Sequence, residues 1–274
     1  MEEPLPEEPL PVPASEGQST KYKFIQLHKE GDIVRLTLNR PPYNVMNISM
    51  LEEIGHALDV VDMMQQTKIL LFEGSDKSFS GGLDIADHTE EKAYQMLEAF
   101  HRIFRSLIEL EAVSISVVRG MALGGGCELA ACCDFCFAAE DAKLGQPEIK
   151  VGIFPSVATV LYSRLIGLHK AFEIILTGRV LTAQEAEAIG LISRSVAPAQ
   201  LDDEVKRWIQ FLTGFSAPVL RYTRRAISDV VNMPFEDALR HVEGIYLNQL
   251  MSTEDAKEGL KAFLEQRKPV WKHR

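Results

Sequence analysis

Apolar residues recur along this chain in two rhythms. Tyr22 to His28 alternates, Gly31-Asp32 turns the chain, and Ile33-Val34-Arg35-Leu36-Thr37-Leu38 alternates again, which predicts a hairpin of half-buried strands. Arg40-Pro41-Pro42-Tyr43-Asn44 ends the second strand. Met50, Leu51, Ile54, Leu58, Val61 and Met64 then return at helical spacing, and Ile69-Leu70-Leu71-Phe72 reads as a short buried strand. A loop with three glycines follows from Gly74 to His88. Ala93, Met96, Leu97, Phe100, Ile103, Phe104, Leu107 and Ile108 mark a second amphipathic helix. Val113 to Val118 is the next strand, Cys127 to Cys133 a buried helix, and Phe135 to Ala138 and Lys143 to Gly145 two more strand-like runs. From Ser156 onward the pattern is mostly helical, with Gly167, Gly178, Gly190 and Gly214 as stops and Pro198, Pro218 and Pro234 near helix starts. This order implies an α/β core of strand–strand–helix units, without a clear sequence repeat, followed by a helical region.

Composition narrows the class. The 274 residues suffice for one large domain, or a domain with a helical extension. A formal net charge of -10 argues against nucleic acid or an anionic membrane as the main partner. No apolar run reaches the roughly 20 residues of a membrane span, and the N-terminus lacks the pattern of a signal peptide, so a cytoplasmic protein is expected. Residues 1–20 hold five Pro and five Glu and read as a disordered tail. We divide the rest into a core over 21–205 and a helical region over 206–274. Cys127, Cys132, Cys133 and Cys136 cluster in an apolar run with no second Cys/His group, so they read as buried small hydrophobes, not as metal ligands.

Candidate chemistry centres on Gly120-Met121-Ala122-Leu123-Gly124-Gly125-Gly126-Cys127-Glu128-Leu129-Ala130. Three glycines at a strand-to-helix junction let the backbone approach a ligand, and the helix start offers unpaired N–H groups. Such a junction suits a phosphate or an oxyanion. No Lys-Ser or Lys-Thr follows, which speaks against a nucleotide P-loop. A glycine run and one Glu can equally be a tight turn with a helix-start carboxylate, so further elements must decide.

Two do: Phe79-Ser80-Gly81-Gly82-Leu83-Asp84-Ile85 upstream, and Leu144-Gly145-Gln146-Pro147-Glu148-Ile149-Lys150-Val151-Gly152-Ile153-Phe154-Pro155 downstream. In this order and spacing the three stretches resemble the crotonase (enoyl-CoA hydratase/isomerase) superfamily, from about Tyr22 to the C-terminus. The resemblance implies a ββα superhelix with a C-terminal helical region used for trimerisation. It implies an acyl-CoA thioester as ligand, coenzyme A entering only as part of the substrate, no metal or redox cofactor, and a homotrimer or hexamer. It places the catalytic carboxylates on Glu128 and Glu148 and the oxyanion-hole N–H groups on Leu83 and Gly125. Substrate contacts are expected from Val45 and Met46, in the stretch that covers coenzyme A largely through backbone, and from Gly82, Asp84, Ile85, Gly124, Phe154 and Val157. Asp84 reads as structural in its chemistry, and His88 and His101 as solvent-facing or helix-face residues. Lys257, Lys261 and Arg267 are candidates for the coenzyme A phosphates.

Two Glu favour hydration over double-bond isomerisation, because many isomerases of the family keep one working carboxylate. The isomerase, and an RNA-binding member of the fold, are the alternatives. One departure concerns the acyl group. Many hydratases carry a flexible glycine-rich stretch where this chain has Phe154-Pro155-Ser156-Val157-Ala158-Thr159-Val160-Leu161. Together with Leu83-Asp84-Ile85-Ala86-Asp87-His88, this looks similar to the cyclic dienoyl-CoA hydratases of anaerobic aromatic-acid degradation, which act on cyclohexa-1,5-diene-1-carbonyl-CoA.

Overall fold

The structure, a computed structural model, describes residues 22–64 and 66–274. The tail expected over residues 1–20 lies outside them. Among the described residues the chain forms two sheets and a set of helices. The strands β1 (Ile25–Glu30) and β2 (Ile33–Leu38) form the expected hairpin, Leu27 opposite Leu36. Helix α1 (Ile48–Met63) follows, its first turn closed by Asn47, whose side chain accepts from the Met50 N–H. Next come β3 (Ile69–Glu73), α2 (Ala93–Glu109), β4 (Val113–Val118), β5 (Met121–Leu123), α3 (Gly125–Cys132), β6 (Phe135–Ala139) and β7 (Lys143–Gly145). The remainder is α4 (Ala158–Leu165), α5 (Leu168–Thr177), β8 (Val180–Thr182), α6 (Ala183–Ala188), β9 (Arg194–Val196), α7 (Leu201–Thr213), α8 (Ala217–Ser228), α9 (Phe235–Asn248) and α10 (Glu254–Leu264).

The larger sheet has the order β1-β2-β3-β4-β6-β9, parallel from β2 onward. Its central strands are covered on both faces, which is why β3 and β4 are apolar or small at nearly every position and do not alternate. The smaller sheet is β5-β7-β8. Strands β5, β8 and β9 have three residues each, too few for a period of two to show in the sequence. Helix α7 runs continuously across the division expected at 205/206, and Leu201, Val205, Ile209 and Leu212 join the same core.

A repeat hidden in the sequence emerges from the pairing. Each turn of chain gives one strand to the large sheet, a short extended piece to the second layer, then a helix. Met46 plays the second part before α1, Ser80 to Leu83 before α2, β5 before α3, and β7 before the turn that carries Glu148. The pieces lie side by side. Met46 bridges Leu83, Ser80 bridges Ala122, and Leu123 pairs with Gly145, all in parallel.

The loop from Ser78 to Asp84 is no strand by composition, so something must hold it extended. Asn44, buried and at φ +50, donates from its amide to the carbonyls of Ser78 and Phe79, each at 3.1 Å, while its Oδ1 accepts from the Arg40 N–H. Ser80 Oγ donates to the Asn44 carbonyl at 2.7 Å and accepts from the Gly82 N–H. Asn tolerates the left-handed conformation better than most residues. Here its amide also supplies a donor to the Phe79 carbonyl and a further one to the Ser78 carbonyl, which already accepts from the Ser75 N–H.

Candidate active site

Four stretches reach one cleft of about 480 Å³, a volume suited to a small molecule or the acyl part of a larger one. Gly82, Leu83 and Ile85 come from the loop, Gly124 and Glu128 from the start of α3, Glu148 from the turn after β7, and Phe154 from the segment before α4. Met96 and Leu97 of α2 form an apolar wall.

Met46 uses its N–H on the Gly82 carbonyl and its carbonyl on the Asp84 N–H. In a strand, successive groups point to alternate sides, so Leu83 turns its own N–H away from Met46. Gly82, at φ +101, carries the chain past β5. A Cβ there would lie 2.9 Å from the Leu123 carbonyl oxygen and 3.6 Å from the Gly125 nitrogen. The Leu83 and Gly125 amides are thereby brought to neighbouring positions. Among the described residues neither N–H has a protein acceptor. Gly125 is the first residue of α3, where such N–H groups are expected to be unpaired.

Glu128 is 1% exposed. Its carboxylate accepts from the Ala158 N–H at 2.6 Å, and the neighbouring Val157 N–H also favours its charged form. Burial pushes its pKa up to about 8, the Glu148 charge pushing the same way and the two amides opposing. Glu148 is half-buried and is pushed up to about 7, again by burial. Gly124 separates the two. It takes φ +51, and a Cβ on it would fall 2.4 Å from Glu148 Oε1. Any side chain there would displace the carboxylate.

Glu148 is set from behind by Gln146, fully buried. With its Oε1 accepting from Tyr162 Oη at 2.6 Å, the Gln146 amide places Nε2 3.2 Å from both Glu148 oxygens. Tyr162 Oη lies 3.1 Å from Cys127 Sγ. Burial raises the pKa of both the phenol and the thiol, the latter to about 12, so this file of groups is neutral. All four cysteines are free, and Cys127, Cys133 and Cys136 are buried in the core, as the sequence reading expected.

The structure separates the other expected site residues. Val45 and Met46 do not line the cleft. Val45 gives its carbonyl to Arg40 Nη1, and Met46 spends its backbone bracing the loop. Asp84 also stays out of the cleft. It pairs with Arg40 at 3.2 Å and caps the short helical turn Ile85–Asp87 through the Ala86 N–H, a structural role. Val157, expected as a substrate contact, does not line the cleft; its side chain packs on the core and its N–H favours the Glu128 charge. His88 and His101 were expected as solvent-facing or helix-face residues; both are half-buried, and His101 lies on α2. His88 lines the cleft, and its Nδ1 donates to the Asp84 carbonyl at 3.0 Å. His101 is half-buried against Ser156, a cleft residue. Of the three C-terminal cations, Arg267 is held by Glu258 and Glu265, whereas Lys150 lies in the cleft wall. Asn44, Gln146 and His101 carried no local signal, since each acts through partners distant in sequence.

This arrangement matches known proteins along nearly its whole length. The profile of the enoyl-CoA hydratase/isomerase family covers residues 28–274. A crotonyl-CoA hydratase of Syntrophomonas wolfei is 37% identical, over 90% of this chain and 97% of that one. A cyclohexa-1,5-dienecarbonyl-CoA hydratase of Thauera aromatica is 33% identical, over 91% of this chain and 96% of that one. The crystal structure of an enoyl-CoA hydratase from Bacillus anthracis superposes with a TM-score of 0.87 at 30% identity, covering 92% of this chain and all of that one. The chain belongs to the enoyl-CoA hydratase/isomerase family and has the crotonase fold.

The buried carboxylate makes a stability prediction. A folded pKa of about 8 lies above the usual carboxylate range, so the folded state holds the proton more tightly than the unfolded chain. Glu128 therefore contributes stability that is complete below the unfolded pKa and is lost as pH rises through about 8. Glu128→Gln, which carries no charge, should melt increasingly above wild type on going from about pH 5 to about pH 9, by on the order of a few kcal/mol at the alkaline end. Thermal melts across pH check this. A constant difference between the two proteins would mean that the carboxylate titrates normally.

Proposed function

We propose that this chain is an enoyl-CoA hydratase, a lyase that adds water reversibly to an α,β-unsaturated acyl-CoA. The observation that carries the reading is the convergence of two carboxylates with raised pKa and two backbone N–H groups without protein acceptors on one apolar cleft. The thioester oxygen would sit between the N–H groups of Leu83 and Gly125. As the oxygen of water bonds to Cβ, the electron pair of the double bond moves onto the thioester oxygen. The N–H groups stabilise that charge without changing their own protonation. The ionised carboxylate of the pair takes the proton from water, and the protonated one delivers a proton to Cα. Between the two raised pKa values, about 7 and about 8, the Glu128–Glu148 pair holds one proton, which supplies one base and one acid together. Two carboxylates in the cleft favour hydration over simple isomerisation.

For the acyl group we propose a cyclic dienoyl thioester, as the similarity to the Thauera aromatica enzyme suggests. A flat ring suits a slot walled by Leu83, Met96, Leu97 and Phe154. In a conjugated dienoyl thioester the charge still ends on the thioester oxygen, so Leu83 and Gly125 keep their role. We also propose a trimer, or a hexamer of two trimers. Phe235, Leu247, Phe263 and Leu264 of α9 and α10 are each more than 60% exposed, more apolar surface than a lone subunit ordinarily shows.

Three measurements test these readings. Glu128→Gln and Glu148→Gln should each lower kcat by about 10²-fold or more, and the double variant by much less than the product. Near wild-type turnover in either single variant removes that residue from the mechanism. For the acyl group, kcat/KM on cyclohexa-1,5-diene-1-carbonyl-CoA should exceed that on crotonyl-CoA; a preference of about 10-fold for crotonyl-CoA, about 1.4 kcal/mol of transition-state binding, overturns the cyclic assignment. Light scattering should return three or six subunits, and a stable monomer at micromolar concentration would defeat the assembly.

A further inference from the structure

Glu128 accepts from the Ala158 N–H, and the Val157 N–H also favours its charge; Val157 and Ala158 are anchored in the core, but few polar contacts fix the segment that leads to them. Helix α4 has no side-chain cap of its own, and Val157 at its start offers none. The acceptor for its first N–H group, that of Ala158, is Glu128, thirty positions earlier in the chain, while the Thr159 N–H turns back to the Pro155 carbonyl. The chain reaches this point from Gly152 and from Phe154, which is 68% exposed. Thr159 Oγ1 bonds the Ser156 carbonyl, but that bond stays within the turn. Among the described residues, one side-chain bond besides Glu128 ties residues 153–158 to another element. His101 Nε2, on α2, lies 2.8 Å from Ser156 Oγ.

We propose that His101 is a positioning residue for Glu128. Its imidazole holds the Ser156 hydroxyl, and Ser156 sets the two amides that follow it, Val157 and Ala158, against the carboxylate. The proposal rests on the reading of Glu128 as an acid–base group. Burial keeps the His101 pKa low, with Arg105 adding and Glu98 opposing, so the ring is neutral and can either donate to the hydroxyl or accept from it. Ser156 faces it from the α4 side. The titratable groups around Glu128 are Glu148 across the cleft and, behind it, Cys127, Cys132 and Tyr162, whose raised pKa values keep them uncharged. The two amides are then the groups that favour the ionised carboxylate, and how closely they approach sets how strong an acid Glu128 is.

The test compares His101→Leu, Ser156→Ala, the double variant and His101→Gln. Two readouts are needed: the pH profile of kcat/KM on the enoyl-CoA that is turned over best, and an infrared titration of the Glu128 carboxyl, assigned by subtracting Glu128→Gln. His101→Leu and Ser156→Ala should each make Glu128 about threefold or more weaker as an acid, an upward shift of about half a pH unit. The double variant should shift no further than either single one, and His101→Gln should recover most of the wild-type value. An infrared titration unmoved in Ser156→Ala overturns the proposal, and it decides alone if His101→Leu does not fold. Additive shifts in the double variant overturn it too. Failure of the underlying reading looks different: Glu128→Gln would then keep its turnover and its pH profile.

Discussion

Everything at this site depends on the lateral hydrogen bonding of three short backbone segments. Ser80 accepts from the Leu123 N–H at 3.0 Å, and Gly145 accepts from the Gly124 N–H at 2.9 Å. Each functional group stands only a few residues beyond one of these contacts: Leu83 in the first segment, Gly124 to Glu128 after the second, Glu148 after the third. Positions spread over some 65 residues are thereby set by a ladder whose spacing the backbone dictates. Three of the ladder positions carry a small side chain or none, Ser80, Ala122 and Gly145. A Cβ on Gly145 would lie 2.6 Å from the Arg179 carbonyl oxygen of the neighbouring chain.

The ladder places the carboxylates, and their surroundings set their protonation. Burial alone would push the Glu128 pKa further up, and further amides would pull it down. Two amides against a buried carboxyl leave it near the middle of the accessible range. Glu148 is treated differently. It keeps partial exposure, and its rear contact is the neutral file of Gln146, Tyr162 and Cys127. That file fixes the direction of the carboxylate without adding a charge that would fight Glu128.

The sequence showed the parts that are local and concealed those that are made across the fold. The hairpin strands and the long helices were legible because their residues carry a period, and β3 and β4 because they are continuous apolar or small runs. The glycine run, Glu128 and Glu148 were legible through their spacing, and resemblance supplied their roles. Asn44 was passed over as the end of a strand, because its two acceptors lie 34 and 35 positions away. His101 was read as a helix-face residue for the same reason, with Ser156 55 positions off. The structural repeat was implied by the resemblance and not legible in the residues, because two of its second-layer pieces, Met46 and the Ser80 loop, are held by single bridges and by Asn44 rather than by strand-forming residues.

The stretch from Phe154 to Leu161 gains a different meaning once its contacts are known. Read as a row of cleft residues, its bulk argues about the shape of the acyl group. In the fold only Phe154, Pro155 and Ser156 face the cleft. Val157 packs on the core, Ala158 is fully buried, and Leu161 packs beneath them. These three anchor the first turn of α4, and that turn presents its amides to Glu128. Apolar bulk in place of flexible glycine thus stiffens the support of a carboxylate, because a side chain fixed in the core restrains its own backbone as glycine does not. The acyl slot is shaped mainly by Leu83, Ile85, Met96, Leu97 and Phe154, most of them from the loop and helix that Asn44 and His101 tie to the rest. Acyl selectivity and carboxylate acidity therefore meet in α2, which carries Met96 and Leu97 of the slot as well as His101, and in the segment that runs from Phe154 to Ala158.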